Sequence, residues 1–413
     1  MSETARHIVI VGAGHAGGVA AATLRQAGFA GAITLIGSEP YPPHERPPLS
    51  KELLAGAIPV EKTYLRPLAF YADNRIAFRP SETAAAIDRT AQRVTLANGD
   101  ALSYDALLLT MGARARRLSL PGADHPRVLY LRDIADSLAL REHLQPGVHA
   151  AVIGAGFIGL EAAAAARKRG AAVTVLEVQR EALQRVCPPE IGRFMADLHR
   201  RNGVELRTGV GITAIADADN ALAVRAADGT TVVADIVLAG IGAQPNVELA
   251  QAAGIAVDNG ILTDEFGHTS DPHIFAAGDV TRHFNPLLGR KIRLEAWQNA
   301  QNQAIAVAKI MAGGNQPYAE VPWFWTDQYD VNLQIAGAPE RWGELVWRGG
   351  PGDKTFTAFA MEGGKPIAAI TMNNGRDMRA ARELIARQRP IDLARLADTK
   401  VKLQDLAKES AGG

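Results

Sequence analysis

Two glycine-rich turns constrain this chain more than any other feature. Gly12-Ala13-Gly14-His15-Ala16-Gly17 and Gly154-Ala155-Gly156-Phe157-Ile158-Gly159 both match G-x-G-x-x-G, each after a short apolar run and before a helical stretch. In such a turn the first glycine (Gly12, Gly154) permits the tight bend, the second (Gly14, Gly156) lets the backbone approach a pyrophosphate, and the third (Gly17, Gly159) lets helix pack closely on strand. The helix N-terminus then turns unpaired N–H groups and the positive end of its dipole toward the phosphates. Periodicity predicts strand 7–11, helix 19–27 and strand 32–37 around the first turn, and strand 149–153, helix 160–169 and strand 172–177 around the second. Two such βαβ units imply two dinucleotide-binding folds.

Acidic residues refine this. Glu39 ends the second strand of the first unit, where it can accept hydrogen bonds from ribose hydroxyls. Glu177 holds the same place in the second unit; a carboxylate there suits a ribose diol and repels a 2′-phosphate, which favours NADH over NADPH, although Arg180 nearby weakens the preference. Glu161, two residues past Gly159, has two open readings: a first-turn surface acid complementing the helix dipole, or a residue reaching toward the nicotinamide. At residues 269–280, TSDPHIFAAGDV reads as a strand stopping at Gly278-Asp279. An aspartate there suits the ribityl chain of a flavin, and N-capping a following helix is compatible with that role. Because this strand follows the second unit, the first fold is built from both ends of the chain. The expected domains are 1–113 with 240–316 for FAD, 114–239 for NAD inserted between them, and 317–413 at the C-terminus.

The C-terminal texture differs. Aromatics cluster in PWFWTDQY, antiparallel strands are expected near 354–361 and 366–371, a charged helix over 376–389, and a frayed helix in the tail 400–413. Asn98-Gly99 and Asp228-Gly229 read as hairpin turns. The fold class is therefore α/β, two Rossmann-like domains plus a C-terminal α+β domain.

Composition narrows the chemistry. With 44 basic and 44 acidic residues the net charge is zero, which gives no reason to expect nucleic acid as a partner. The single cysteine, Cys187, excludes an internal disulfide, a CxxC redox pair and a thiolate-ligated cluster, so redox chemistry falls to an organic cofactor. No metal site and no membrane span are expected, and the N-terminal run is too short for a signal-peptide core, which predicts a cytoplasmic protein.

PHERPPLSK at 43–51, TMGAR at 110–114, GAGFIGLE at 154–161, FAAGDV at 275–280, EAWQNAQNQA at 295–304 and PWFWTDQYD at 322–330 occur in that order. Together they resemble the oxygenase-coupled NADH:ferredoxin reductases, relatives of putidaredoxin reductase with the fold of glutathione reductase. The resemblance implies FAD on the first turn and NADH on the second. It also implies electron transfer to a two-iron two-sulfur ferredoxin that serves a P450 or Rieske-type oxygenase, by a monomer or weak dimer. It carries Ala16, Glu39, Lys51, Ala84, Arg132, Asp279 and Trp297 over as FAD contacts, and places Lys51 near the flavin's reactive nitrogen, paired with Glu161 before nicotinamide arrives. Gly154, Gly156, Ile158, Gly159 and Glu177 fall to NAD. Ala296 and Met111 depart from the family's usual residues.

Trp323, Phe324 and Trp325 read either as an electron exit or as a packed core. Arg376, Arg379, Arg382 and Arg387 read either as a basic dock for an acidic partner or as a solvated helix face. A flavin disulfide reductase is disfavoured because residues 38–60 hold no cysteine. A reductase of another acceptor (rubredoxin or monodehydroascorbate) and an NADH-sensing flavoprotein stay as alternatives.

Overall fold

A computed structural model describes residues 6–409. The chain divides into two compact units: residues to Arg46, Val60–Arg114 and Gln244–Pro322 form one, and Pro47–Pro59, Ala115–Ala243 and the chain from Trp323 form the other.

In the first unit a five-stranded sheet runs in the order Ile274–Ala276, Ala106–Leu109, His7–Val11, Ala32–Ile36, Ile76–Arg79. All neighbours are parallel. After His7 the strand 7–11 is apolar, Ile8 to Val11, because both faces are covered, as parallel sheets require. Helix His15–Gln26 buries Ala16, Ala20, Ala21 and Leu24 in one core with Phe275, Ala304 and Val307. The C-terminal strand thus completes the N-terminal fold, as the chain order implies. The Asn98-Gly99 turn joins strands Arg93–Leu96 and Ala101–Ser103.

The second unit repeats the plan, with order Val204–Thr208, Ala172–Glu177, His149–Ile153, Ile236–Ala239, Val128–Leu129. An antiparallel sheet, Trp323–Gln328, Val331–Gly337, Lys365–Met372, Phe356–Glu362, Glu344–Arg348, carries helix Gly375–Arg387. Asp228-Gly229 turns the hairpin of Ala221–Ala226 and Thr231–Ala234. The tail folds as helix Leu403–Glu409, and the final glycines lie outside the described residues.

Three differences from the sequence reading have physical causes. Both βαβ helices start earlier than periodicity suggests, at His15 and Phe157. The third glycine of each turn is a helical residue chosen for close approach, not a helix breaker. Asp279 caps no helix, since strand Thr281–Asn285 follows it. Glu161 is the fifth residue of helix Phe157–Lys168 and is 6 % exposed, which rules out a first-turn surface acid.

Candidate functional site

Two positions of the first glycine turn, Gly12 and Gly17, admit only glycine. Gly12 has φ +109°, and a Cβ there would lie 2.4 Å from the Thr110 carbonyl oxygen. A Cβ at Gly17 would lie 1.9 Å from the Gly12 carbonyl oxygen, to which the Thr110 hydroxyl also donates at 2.8 Å. Gly14 is open by contrast: the nearest atom to an added Cβ is Arg46 Nη2 at 3.9 Å. An accessible backbone beside a guanidinium fits a pyrophosphate. Arg46 also donates to Glu39 at 2.6 Å, and His44 Nε2 lies 3.5 Å from the same carboxylate. Ser81 and Glu82 donate their N–H groups to the Glu39 and Gly37 carbonyls, which leads strand Ala84–Asp88 off the end of strand Ala32–Ile36.

Gly278, at φ +85°, lies against Ala16, whose Cβ would be 3.0 Å from a Cβ added there. Asp279 is half-buried beyond it. Trp297 begins helix Trp297–Met311, with its ring 5.2 Å from that of His15. Ala296, the N-cap, makes no side-chain cap bond, so this helix starts without a side-chain cap.

Burial pushes the His15 imidazole down to about 4, with neighbouring Gln301 and the charge of Asp279 opposing it. Burial alone does the same to His283. A histidine depressed in the folded state contributes stability that is full above its unfolded value near 6.5 and lost as pH falls through 4. Each such group accounts for about 3 kcal/mol over that window. The urea midpoint of the protein should therefore drop steeply from pH 6.5 to 4. His283→Phe should flatten the slope; an unchanged slope would show that His283 does not titrate there.

The second turn repeats the sterics. A Cβ at Gly154 would lie 2.5 Å from the Gly240 carbonyl oxygen and one at Gly159 2.1 Å from that of Gly154, whereas Gly156 is open to 3.9 Å. Glu177 is fixed by two backbone donors, Ala155 N–H at 2.6 Å and Gln179 N–H at 2.8 Å. Each oxygen keeps a second acceptor site for a ribose diol. Ile158, on the first turn of the helix, and Arg180 are exposed.

Near the start of the same helix lies a buried carboxylate cluster. Glu161 accepts from Ser50 Oγ at 2.5 Å and Thr326 Oγ1 at 2.6 Å, with Lys51 Nζ at 3.3 Å. Burial raises the Glu161 carboxyl above its usual range; Lys51, Ser50 and Thr326 oppose this. The chain of bonds continues, Gln328 Nε2 donating to Thr326 at 3.1 Å and His199 Nε2 lying 2.7 Å from Gln328 Oε1. Burial lowers the His199 pKa. Gln328 Oε1 can only accept, so the His199 Nε2 facing it carries the hydrogen and every bond in the chain donates toward Glu161.

Lys51 Nζ lies 5.8 Å from the Trp325 ring; Trp325 stacks on Trp323 at 5.2 Å and 19°; Arg382 lies 5.5 Å over Trp323. Phe324 points elsewhere, to Phe157 at 4.2 Å, as strand alternation requires. Phe324 thus packs against the core, while Trp323 and Trp325 stack on each other on the other face of the strand. Arg376 and Arg379 are exposed, but Arg387 donates to the Ala407 carbonyl and is a structural residue. Arg132 donates its N–H to Asp136 at 2.8 Å, at the cap of helix Ile134–His143.

Sequence reasoning did not single out Arg46, Ser50, Thr326, Gln328 or His199. The first four lie inside quoted motifs, whereas His199 carried no signal. Cys187 is buried and burial raises its thiol, which leaves it inert. No cluster that could hold a metal and no helix long and apolar enough to cross a membrane occurs among the described residues.

Residues 6–304 match the family pyridine nucleotide-disulphide oxidoreductase, and residues 323–407 match the reductase C-terminal domain. The ferredoxin–NAD(+) reductase component of an anthranilate 1,2-dioxygenase system from Burkholderia cepacia is 45 % identical over 96 % of this chain and 98 % of its own. The ferredoxin reductase for the CYP199A2 system from Rhodopseudomonas palustris superposes with TM-score 0.93 at 39 % identity, covering 97 % of this chain and 100 % of that one. Putidaredoxin reductase, solved in covalent complex with putidaredoxin, gives TM-score 0.95 at 37 % identity over 99 % of each chain. The chain belongs to the pyridine nucleotide-disulphide oxidoreductases, among the ferredoxin reductases that carry the reductase C-terminal domain.

Proposed function

We propose that the protein takes electrons from NADH through FAD to a two-iron two-sulfur ferredoxin that supplies a P450 or Rieske-type oxygenase. The observation that carries this reading is the Lys51–Trp325–Trp323–Arg382 ladder in a chain whose one thiol is buried and inert. Relatives named for dioxygenase and P450 systems support the class of partner.

FAD, when bound, accepts a hydride from NADH and gives up electrons singly. The protein's residues position and neutralise. Gly12, Gly14, Ala16, Gly17 and Arg46 receive the FAD pyrophosphate, Glu39 and Ala84 its adenosine end, and Asp279, Trp297 and Arg132 the rest. Gly154, Gly156, Ile158, Gly159 and Glu177 receive NADH. Lys51 supplies positive charge to reduced flavin, and Glu161 holds the Lys51 ammonium until nicotinamide arrives. The assignment of residues 1–113 with 240–316, 114–239 and 317–413 to FAD, NAD and C-terminal domains, a cytoplasmic location, and a monomer or weak dimer complete the proposal.

Screening the protein with NADH against a panel of two-iron ferredoxins tests the partner class; reduction of none of them would sink it. Arg376→Glu with Arg379→Glu should raise the Michaelis constant for the cognate ferredoxin about tenfold. Ferricyanide reduction should stay unchanged. Equal loss with both acceptors would move these arginines out of the dock.

A further inference from the structure

The Gly278–Asp279 turn is held from behind by one side chain. Helix Trp297–Met311 presents Gln303, 1 % exposed, whose amide oxygen accepts from Gly278 N–H at 2.9 Å. The Thr281 hydroxyl lies 3.1 Å from the same oxygen, and Asn299 Nδ2 lies 3.5 Å from it. Two N–H donors, Gly278 and Asn299, converge on this atom, which fixes the orientation of the amide. Tyr318 OH donates to Asn299 Oδ1 at 3.2 Å and so fixes the next member of the row.

The turn itself is tight. Gly278 adopts φ +85°, and its carbonyl accepts from Thr281 N–H at 3.0 Å and Thr281 Oγ1 at 2.9 Å. The preceding residue, Ala277, donates to the Leu109 carbonyl at 3.1 Å. Between that last sheet bond and the Thr281 closure, the Gly278 amide points inward, and Gln303 is its acceptor. A buried backbone N–H without an acceptor is costly, so loss of the Gln303 oxygen would turn this peptide toward another partner. The Gly278 Cα joins that peptide to the one that carries Asp279, so the φ that Gly278 adopts sets the direction of Asp279.

We propose that Gln303 is a positioning residue for FAD: it sets the Gly278 peptide and thereby aims Asp279 at the flavin's ribityl chain. The inference rests on the reading that Asp279 holds that chain. It makes the EAWQNAQNQA segment a template for the flavin site as well as a packing helix.

The test uses FAD affinity, measured by fluorescence of released flavin on dilution, together with the visible spectrum and midpoint potential of the bound flavin. Gln303→Met, which keeps the length and removes the acceptor, should weaken FAD binding about tenfold and shift the flavin spectrum. In an Asp279→Ala background the same change should weaken binding less than about twofold, because Gln303 acts through Asp279. Thr281→Val, a milder change, should weaken binding about threefold and keeps the test in hand if Gln303→Met does not fold. Wild-type FAD affinity in Gln303→Met, with Asp279→Ala loosened, overturns the proposal alone. So does full additivity of the two substitutions, which would mark Gln303 as ordinary packing. Wild-type affinity in Asp279→Ala overturns the underlying reading of Asp279 and the proposal with it.

Discussion

Gly17→Ala should cost the protein its FAD, whereas Gly159→Ala should cost it NADH and leave FAD bound. The added methyl at Gly17 would lie 1.9 Å from the Gly12 carbonyl oxygen and 2.9 Å from Thr110 Oγ1; at Gly159 it would lie 2.1 Å from the Gly154 carbonyl oxygen. Neither obstacle is the end of a flexible side chain that can swing away. The helix must move off the turn, and with it the N–H groups that face the phosphates. Overpacking of this kind costs ~3 kcal/mol, or about a hundredfold in affinity. Flavin content per chain and the NADH dissociation constant separate the two variants. If Gly159→Ala lost FAD and Gly17→Ala kept it, the assignment of cofactors to turns would be reversed.

Lys51→Met should slow flavin reduction by NADH at least ~100-fold, the scale at which a positioned charge contributes to a transition state. The buried Glu161 would lose its ammonium partner at 3.3 Å, the largest influence opposing burial at that carboxyl. Glu161 then takes up a proton, or the protein loses ~3 kcal/mol through an uncompensated buried charge. The double variant Lys51→Met, Glu161→Gln should be more stable than Lys51→Met alone, since the offending charge is gone. Rapid mixing with NADH gives the rate, and urea midpoints give the stabilities. An unchanged reduction rate with an unchanged flavin potential would remove Lys51 from the chemistry.

Much of the fold is legible in sequence because glycine sterics and apolar runs act locally. Gly12, Gly17, Gly154 and Gly159 mark tight turns whose neighbours need no other cue, and the strands at 7–11, 149–153 and 172–177 agree to the residue. Helix starts were less legible, because glycine used for close packing looks the same in sequence as glycine that breaks a helix. Order along the chain identified the strand that completes the first sheet. The cluster at Glu161 was legible only in part. Its donors come from two segments far from Glu161 in the chain, and Ser50 and Thr326 are ordinary polar residues until the fold brings them within 2.6 Å of a carboxylate. His199 enters through two intermediates, Gln328 and Thr326, a connection that no local pattern encodes. The arginines of helix Gly375–Arg387 share one sequence texture, yet Arg387 caps a carbonyl while Arg376 and Arg379 face solvent.

The most direct test mixes the protein anaerobically with NADH and a two-iron ferredoxin and follows flavin and iron–sulfur absorbance together. The account predicts fast flavin bleaching, then one-electron reduction of ferredoxin at a rate that sustains steady-state turnover. A slow reaction that stops at a long-lived charge-transfer complex, with the ferredoxin left oxidised, would contradict it.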